Sequence, residues 1–109
     1  MRFVFKRFFM PKIYDYFGIV FLFYSSEHEP VHVHARYGDY ETIFDIIFED
    51  GKVKEIKTRN SKGVENLPPA KFKDASDFVK KYAVEIAMKW YKVFVLKEKV
   101  SCEEINKRI

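Results

Sequence analysis

Apolar positions recur with the period of strands in the first half of the chain and with the period of a helix in the second. Gly18 to Tyr24 is a continuous run rich in β-branched and aromatic residues, bounded by Gly18 and by Ser25-Ser26, the pattern of a strand covered on both faces. Val31 to Tyr37 alternates strictly, with Val31, Val33, Ala35 and Tyr37 on one face and His32, His34 and Arg36 on the other, which predicts a half-buried strand. Gly38-Asp39 is then a two-residue link to Tyr40 to Phe48. Counting outward from a Tyr37–Tyr40 pair sets Val33 opposite Phe44 and Val31 opposite Ile46 on the core face. On the other face Arg36 meets Glu41, His34 meets Ile43 and His32 meets Asp45. A second turn at Asp50-Gly51 leads into Val53 to Thr58, where Val53 and Ile56 stand three apart and imply either a bulge or an unfixed register. These segments predict an antiparallel meander of four strands.

Gly63, Pro68 and Pro69 among polar residues mark the loop that ends the sheet. From about Ala75, residues Val79, Tyr82, Ala83, Ile86, Trp90, Val93 and Phe94 recur at three- and four-residue steps and predict a long helix. Asp74 or Ser76 can cap its start, and Pro69 permits an earlier one. A run to Lys99 would span about 39 Å, so the helix must overhang the sheet or break. Ser101 followed by Glu104 has capping-box spacing and can open a short terminal helix. The expected architecture is α+β in one domain, residues 1–109: a four-stranded antiparallel meander over 10–60, a loop over 61–73 and a helical part over 74–109 packed on the sheet.

The 109-residue length suits one domain, and 48% hydrophobic residues supply a core without disulfides. The lone Cys102, expected in a helical first turn, cannot staple the fold and fits a reducing cytoplasm. Residues 1–14 carry +4, residues 15–50 carry −7 and residues 51–109 carry +7, so the acidic middle can be neutralised by the basic C-terminal half. Lys52, Lys54, Lys57, Arg59 and Lys62 form the basic strand that would meet phosphates if RNA were bound. The longest apolar stretch, Phe17 to Tyr24, is too short to span a membrane. Ten of twenty aromatics lie in the first 24 residues, and exposure of Phe3, Phe5, Phe8 and Phe9 would favour a homodimer.

All three histidines, His28, His32 and His34, fall within seven residues beside Glu27 and Glu29. On a strand, His32 and His34 project the same way about 7 Å apart and can share a divalent transition metal such as zinc. His28 can join from the preceding loop, and Asp45 can orient or join His32. A metal-free alternative uses His32 or His34 as general acid and base with Arg36 stabilising a phosphoryl transition state. The plainer alternative is a polar strand face with His32 and His34 hydrogen-bonded to Asp45 and solvent, and an Arg36–Glu41 ion pair.

Met10-Pro11-Lys12-Ile13, Gly18-Ile19 leading into Phe21 to Tyr24, Glu27-His28-Glu29-Pro30-Val31-His32-Val33-His34, Tyr37-Gly38 and the late Trp90 resemble a family of small bacterial proteins, the domain of unknown function 4160. The resemblance covers about residues 10–95, and its His28, Pro30, His32 and His34 carry over as functional positions. Family members begin at the Met-Pro pair, so residues 1–9 are an extra N-terminal segment or Met10 is the native start. Members are often encoded beside another small protein in pairs that resemble toxin–antitoxin modules, which implies a protein partner encoded nearby and an RNA target. Two functions follow as expectations: an interaction component of such a module with a histidine-rich surface site, or a metal-dependent or histidine-based hydrolase of phosphodiesters.

Overall fold

The structure, a computed structural model, describes residues 10–24 and 30–109. Among these residues seven elements follow in order: β1 (Lys12–Tyr16), β2 (Ile19–Leu22), β3 (His32–Tyr37), β4 (Tyr40–Glu49), β5 (Lys52–Asn60), α1 (Pro69–Phe94) and β6 (Glu103–Ile105). They build one six-stranded sheet in the order β5-β4-β3-β2-β1-β6, with α1 packed on one face.

The meander from β2 to β5 has the expected hairpins. Tyr37 pairs with Tyr40, Val33 with Phe44, Arg36 with Glu41, His34 with Ile43 and His32 with Asp45. Gly38 takes φ +58 at the first central position of its turn, where a side chain would be strained. The bulge lies where β4 shifts register between Ile47 and Phe48: Ile47 faces Glu55 and Phe48 faces Val53, leaving Lys54 as the extra residue. That shift keeps Ile46, Phe48 and Ile56 against the helix-side core.

The sheet is larger than a four-stranded meander and is mixed rather than purely antiparallel. The aromatic-rich N-terminal part supplies β1, which turns at Phe17-Gly18 and pairs with β2. It buries Ile13, Tyr14 and Tyr16 almost completely under α1. Residues 103–105 form β6, parallel to β1, in place of the expected terminal helix. The capping-box spacing is outcompeted there by the unpaired edge of β1, which takes up the backbone groups of a short segment. Cys102 therefore precedes a strand, and burial together with Asp15 pushes its thiol pKa up.

The helix begins at Pro69, earlier than the apolar stripe indicates, so the loop is residues 61–68. Pro68 stands at the cap without a side-chain hydrogen bond, and Pro69 opens the helix where its missing N–H costs nothing. Tyr82 has non-helical dihedrals (φ −103°, ψ 17°), and the helix ends at Phe94. Ala75, Phe78, Val79, Ala83, Ile86 and Val93 face the sheet. Phe78 is the hub: its ring lies 4.5 Å from that of Phe21, 4.9 Å from Tyr16, 5.1 Å from Tyr14 and 4.4 Å from Tyr82. Trp90 packs at 5.2 Å on Phe94 and joins the core margin, as its place in the stripe predicts. Phe3, Phe5, Phe8 and Phe9 lie outside the described residues.

Candidate functional site

The face of the sheet opposite α1 carries the chemistry. Period-two alternation aligns Leu22 with His34 and Val20 with Arg36 across β2 and β3, then Arg36 with Glu41 and His34 with Ile43 across β3 and β4. Tyr24, two residues beyond Leu22, falls on the same face. Its ring stacks on His34 at 3.9 Å with an interplanar angle of 12°.

Glu41 organises this cluster. Its Oε2 accepts a 2.7 Å hydrogen bond from His34 Nδ1, and its Oε1 accepts from the Tyr24 hydroxyl at 2.9 Å and from Arg36 Nε at 3.2 Å. Arg36 Nη2 also donates to the Tyr24 oxygen at 2.7 Å, which closes a ring of three side chains. The Glu41 backbone N–H donates to the Glu65 carbonyl at 2.9 Å, and neighbouring Thr42 bonds Asn66 and the Leu67 N–H, so the loop holds this end of β4. Burial would raise the Glu41 pKa, but hydrogen bonds from His34 and Tyr24, the His34 charge and a hydrogen bond from Ser61 outweigh it and hold the carboxyl at about 2. Burial and the same carboxylate push the Tyr24 phenol upward, so it stays a protonated donor. Burial works against the Arg36 charge, yet Tyr24 and Glu41 raise its pKa overall.

His32 and His34 are not on a solvated face. His32 is 3% exposed and His34 1%; on the same sheet face Leu22 and Ile43 are buried, and Tyr24 stacks on His34. The strand expected to be half-buried is thus buried on both faces over its first four residues. His32 Nδ1 lies 2.8 Å from the Pro30 carbonyl, and the two imidazole rings meet edge-on at 5.4 Å. A carbonyl only accepts and an ionised carboxylate only accepts, so Nδ1 is the protonated nitrogen in both rings. In the neutral form Nε2 then carries the lone pair of each.

Asp45 stands opposite His32 in register, but its carboxylate takes two hydrogen bonds from Arg59, at 2.9 and 3.1 Å. With Lys54 on Glu49 at 3.0 Å, this ties the acidic middle of the chain to its basic strand. Of the four residues expected to hold a metal, the structure brings His32 and His34 together and gives Asp45 to Arg59; His28 lies outside the described residues. Among the described residues no group of three His, Cys, Asp or Glu side chains is placed to hold a metal ion.

Beside this network lies an open depression of about 320 Å³ lined by Tyr24, Arg36, Gly38, Asp39, Tyr40, Glu41 and Val64. Arg36 reaches it with its side chain 38% exposed. The strand patterns do not single out Tyr24, and they bring in Glu41 only as an ion-pair partner. The available signal is parity, since Tyr24 continues the alternation of Val20 and Leu22 beyond the strand's end.

The molecule is thus a sheet-and-helix α+β protein in which the sheet face opposite α1 buries a carboxylate–histidine–tyrosine–arginine network next to a surface depression. The chain belongs to the family described as Domain of unknown function (DUF4160), whose model matches residues 18–91. No curated protein and no solved structure matches it. No helix among the described residues is long and apolar enough to cross a membrane.

Proposed function

We propose that the chain is the interaction component of a two-gene, toxin–antitoxin-like module, and that the depression at Arg36 and Tyr24 receives the protein encoded beside it. The observation that carries this reading is the division of the network: His32 and His34 are buried, while Arg36, Tyr24 and Tyr40 line a concave surface. Arg and Tyr dominate the energetically decisive residues of protein interfaces, particularly where a rigid support fixes them. Glu41, held by His34, is that support. Asp39 and Glu41 set two carboxylates against one guanidinium in the depression, which repels a phosphodiester backbone and favours a protein over RNA.

Arg36→Ala is expected to weaken the complex with the neighbouring gene product by about 2 kcal/mol or more, read by isothermal titration after co-expression. An affinity unchanged by Arg36→Ala and Tyr40→Ala would place the partner elsewhere.

A second reading is favoured by how the imidazoles are held. Histidines that ligate metals or act as general bases characteristically donate their other ring N–H to a carboxylate or a carbonyl, as His34 and His32 do. This supports a metal-dependent or histidine-based hydrolase of phosphodiesters, with His32 and His34 as bases or ligands, Arg36 beside them and His28 completing the set. Zinc added to the purified chain is expected to be retained in near-stoichiometric amount by the wild type and lost from folded His34→Ala, as measured by elemental mass spectrometry. Equal retention by both proteins, with no cleavage of RNA by either, removes this reading.

A further inference from the structure

The second half of α1 presents an apolar stripe on the side away from the sheet. Val84, Met88 and Tyr91, with Val95 at the C-cap, are 55%, 59%, 51% and 49% exposed, each far outside the core that holds Ala83, Ile86 and Val93 of the same helix. At 3.6 residues per turn these four positions lie diametrically opposite Ile86. Their spacing of four, three and four is that of alternating d and a positions in a coiled-coil seam. The stripe begins only after Tyr82, where the helix dihedrals break, and the equivalent face of the first half carries Asp77, Lys80 and Lys81.

We propose that this stripe is the seam of a homodimer in which the α1 helices of two copies pack antiparallel. The two-fold axis would pass between Met88 and Tyr91, so that Met88 meets Tyr91 and Val84 meets Val95 of the second copy. Charge selects both the occupant and the direction. Glu85 and Lys92 flank the stripe on one side, at the positions that face each other across an antiparallel pair, and the two-fold repeats this opposite-charge contact twice. Neither residue forms an ion pair among the described residues. A parallel arrangement would instead stack Asp77 on Asp77 and Lys81 on Lys81, and would leave Lys92 facing Ala87. The seam spans about three turns, so the interface is small and the dimer belongs to the weak, reversible class.

Sedimentation velocity from about 1 µM to about 1 mM should show reversible dimerisation within that range, as for interfaces below about 1,200 Å². Met88→Glu, a change at a solvent-exposed position verified as folded by circular dichroism, should raise the dissociation constant at least about tenfold, because it sets a charge in the seam. Glu85→Lys should weaken the dimer about three- to tenfold, and combining it with Lys92→Glu should restore it to within about twofold of wild type. A chain that stays monomeric to about 1 mM, or a dimer indifferent to Met88→Glu, overturns the proposal. Failure of the double charge exchange to restore the dimer overturns the antiparallel pairing.

Discussion

Glu41→Ala is expected to lower stability by about 3 kcal/mol in urea unfolding at neutral pH. The change removes the acceptor of three donors at once: His34 Nδ1, the Tyr24 hydroxyl and Arg36 Nε. His34 is buried, so its N–H loses the carboxylate in a place that water does not reach freely. Arg36 is partly exposed and regains water, which sets the loss at the lower end of the range for broken buried ion pairs. Glu41→Gln retains an acceptor oxygen for His34 and is expected to lose about half as much.

The same carboxylate makes stability depend on acid. Its pKa is about 2 in the folded protein against 4.5 for an unperturbed glutamate. A depressed folded pKa means the unfolded chain binds the proton first, so the contribution is complete above about pH 5 and falls away as pH drops toward 2. Over that window the wild type should lose on the order of 3 kcal/mol from this group, whereas Glu41→Gln should lack that part of the decline. Parallel stability–pH curves for the two proteins would show that the network does not hold the carboxylate ionised.

Phe78→Ala is expected to cost about 3–5 kcal/mol, enough to leave the protein marginally folded at 25 °C. Phe78 is fully buried and is the one helix residue whose ring lies within 5.1 Å of rings from β1, β2 and α1 together. Truncation opens a cavity lined by Tyr14, Tyr16 and Phe21, whose rings are fixed on strands and cannot collapse into it. Val84→Ala, on the outer side of the same helix, is the matched control and should shift monomer stability by no more than about 0.5 kcal/mol. A loss below about 1 kcal/mol for Phe78→Ala would mean that α1 is held by its flanks, at Trp90 and Phe94, rather than by this cluster.

Much of the site's frame is legible in the order of residues alone. Alternation in Val31 to Tyr37 and the two-residue Gly38-Asp39 link leave one register for β3 and β4, and the pairs counted outward from that turn are present, with the Ile46 N–H bonded to the Val31 carbonyl at the far end. The three-residue step between Val53 and Ile56 indicates the bulge for the same reason: it is a local violation of period two. The start of α1 is less legible, because Lys71, Phe72 and Lys73 show no apolar stripe and only Pro69 marks the boundary.

The rest depends on neighbours distant in sequence. Lys12–Tyr16 alternates too briefly to declare itself a strand, and it is one because α1 offers Phe78 and Tyr82 to its aromatic rings. Glu103–Ile105 has the local marks of a helix start, and pairing with β1 across nearly ninety residues of chain decides otherwise. The register that sets Asp45 opposite His32 is correct, but Arg59 on β5 brings a two-pronged cation to the same carboxylate.

By itself, then, the sequence determined the α+β class, the β3–β4 register and the clustering of His32, His34, Arg36 and Glu41 on one sheet face, since each follows from backbone periodicity and a short turn. Only the tertiary structure decided that the face is buried, that Tyr24 and Glu41 lie at its centre, and that Arg36 is the group left at the surface. Burial depends on which parts of the chain distant in sequence pack against a residue, and no period along a single strand encodes that.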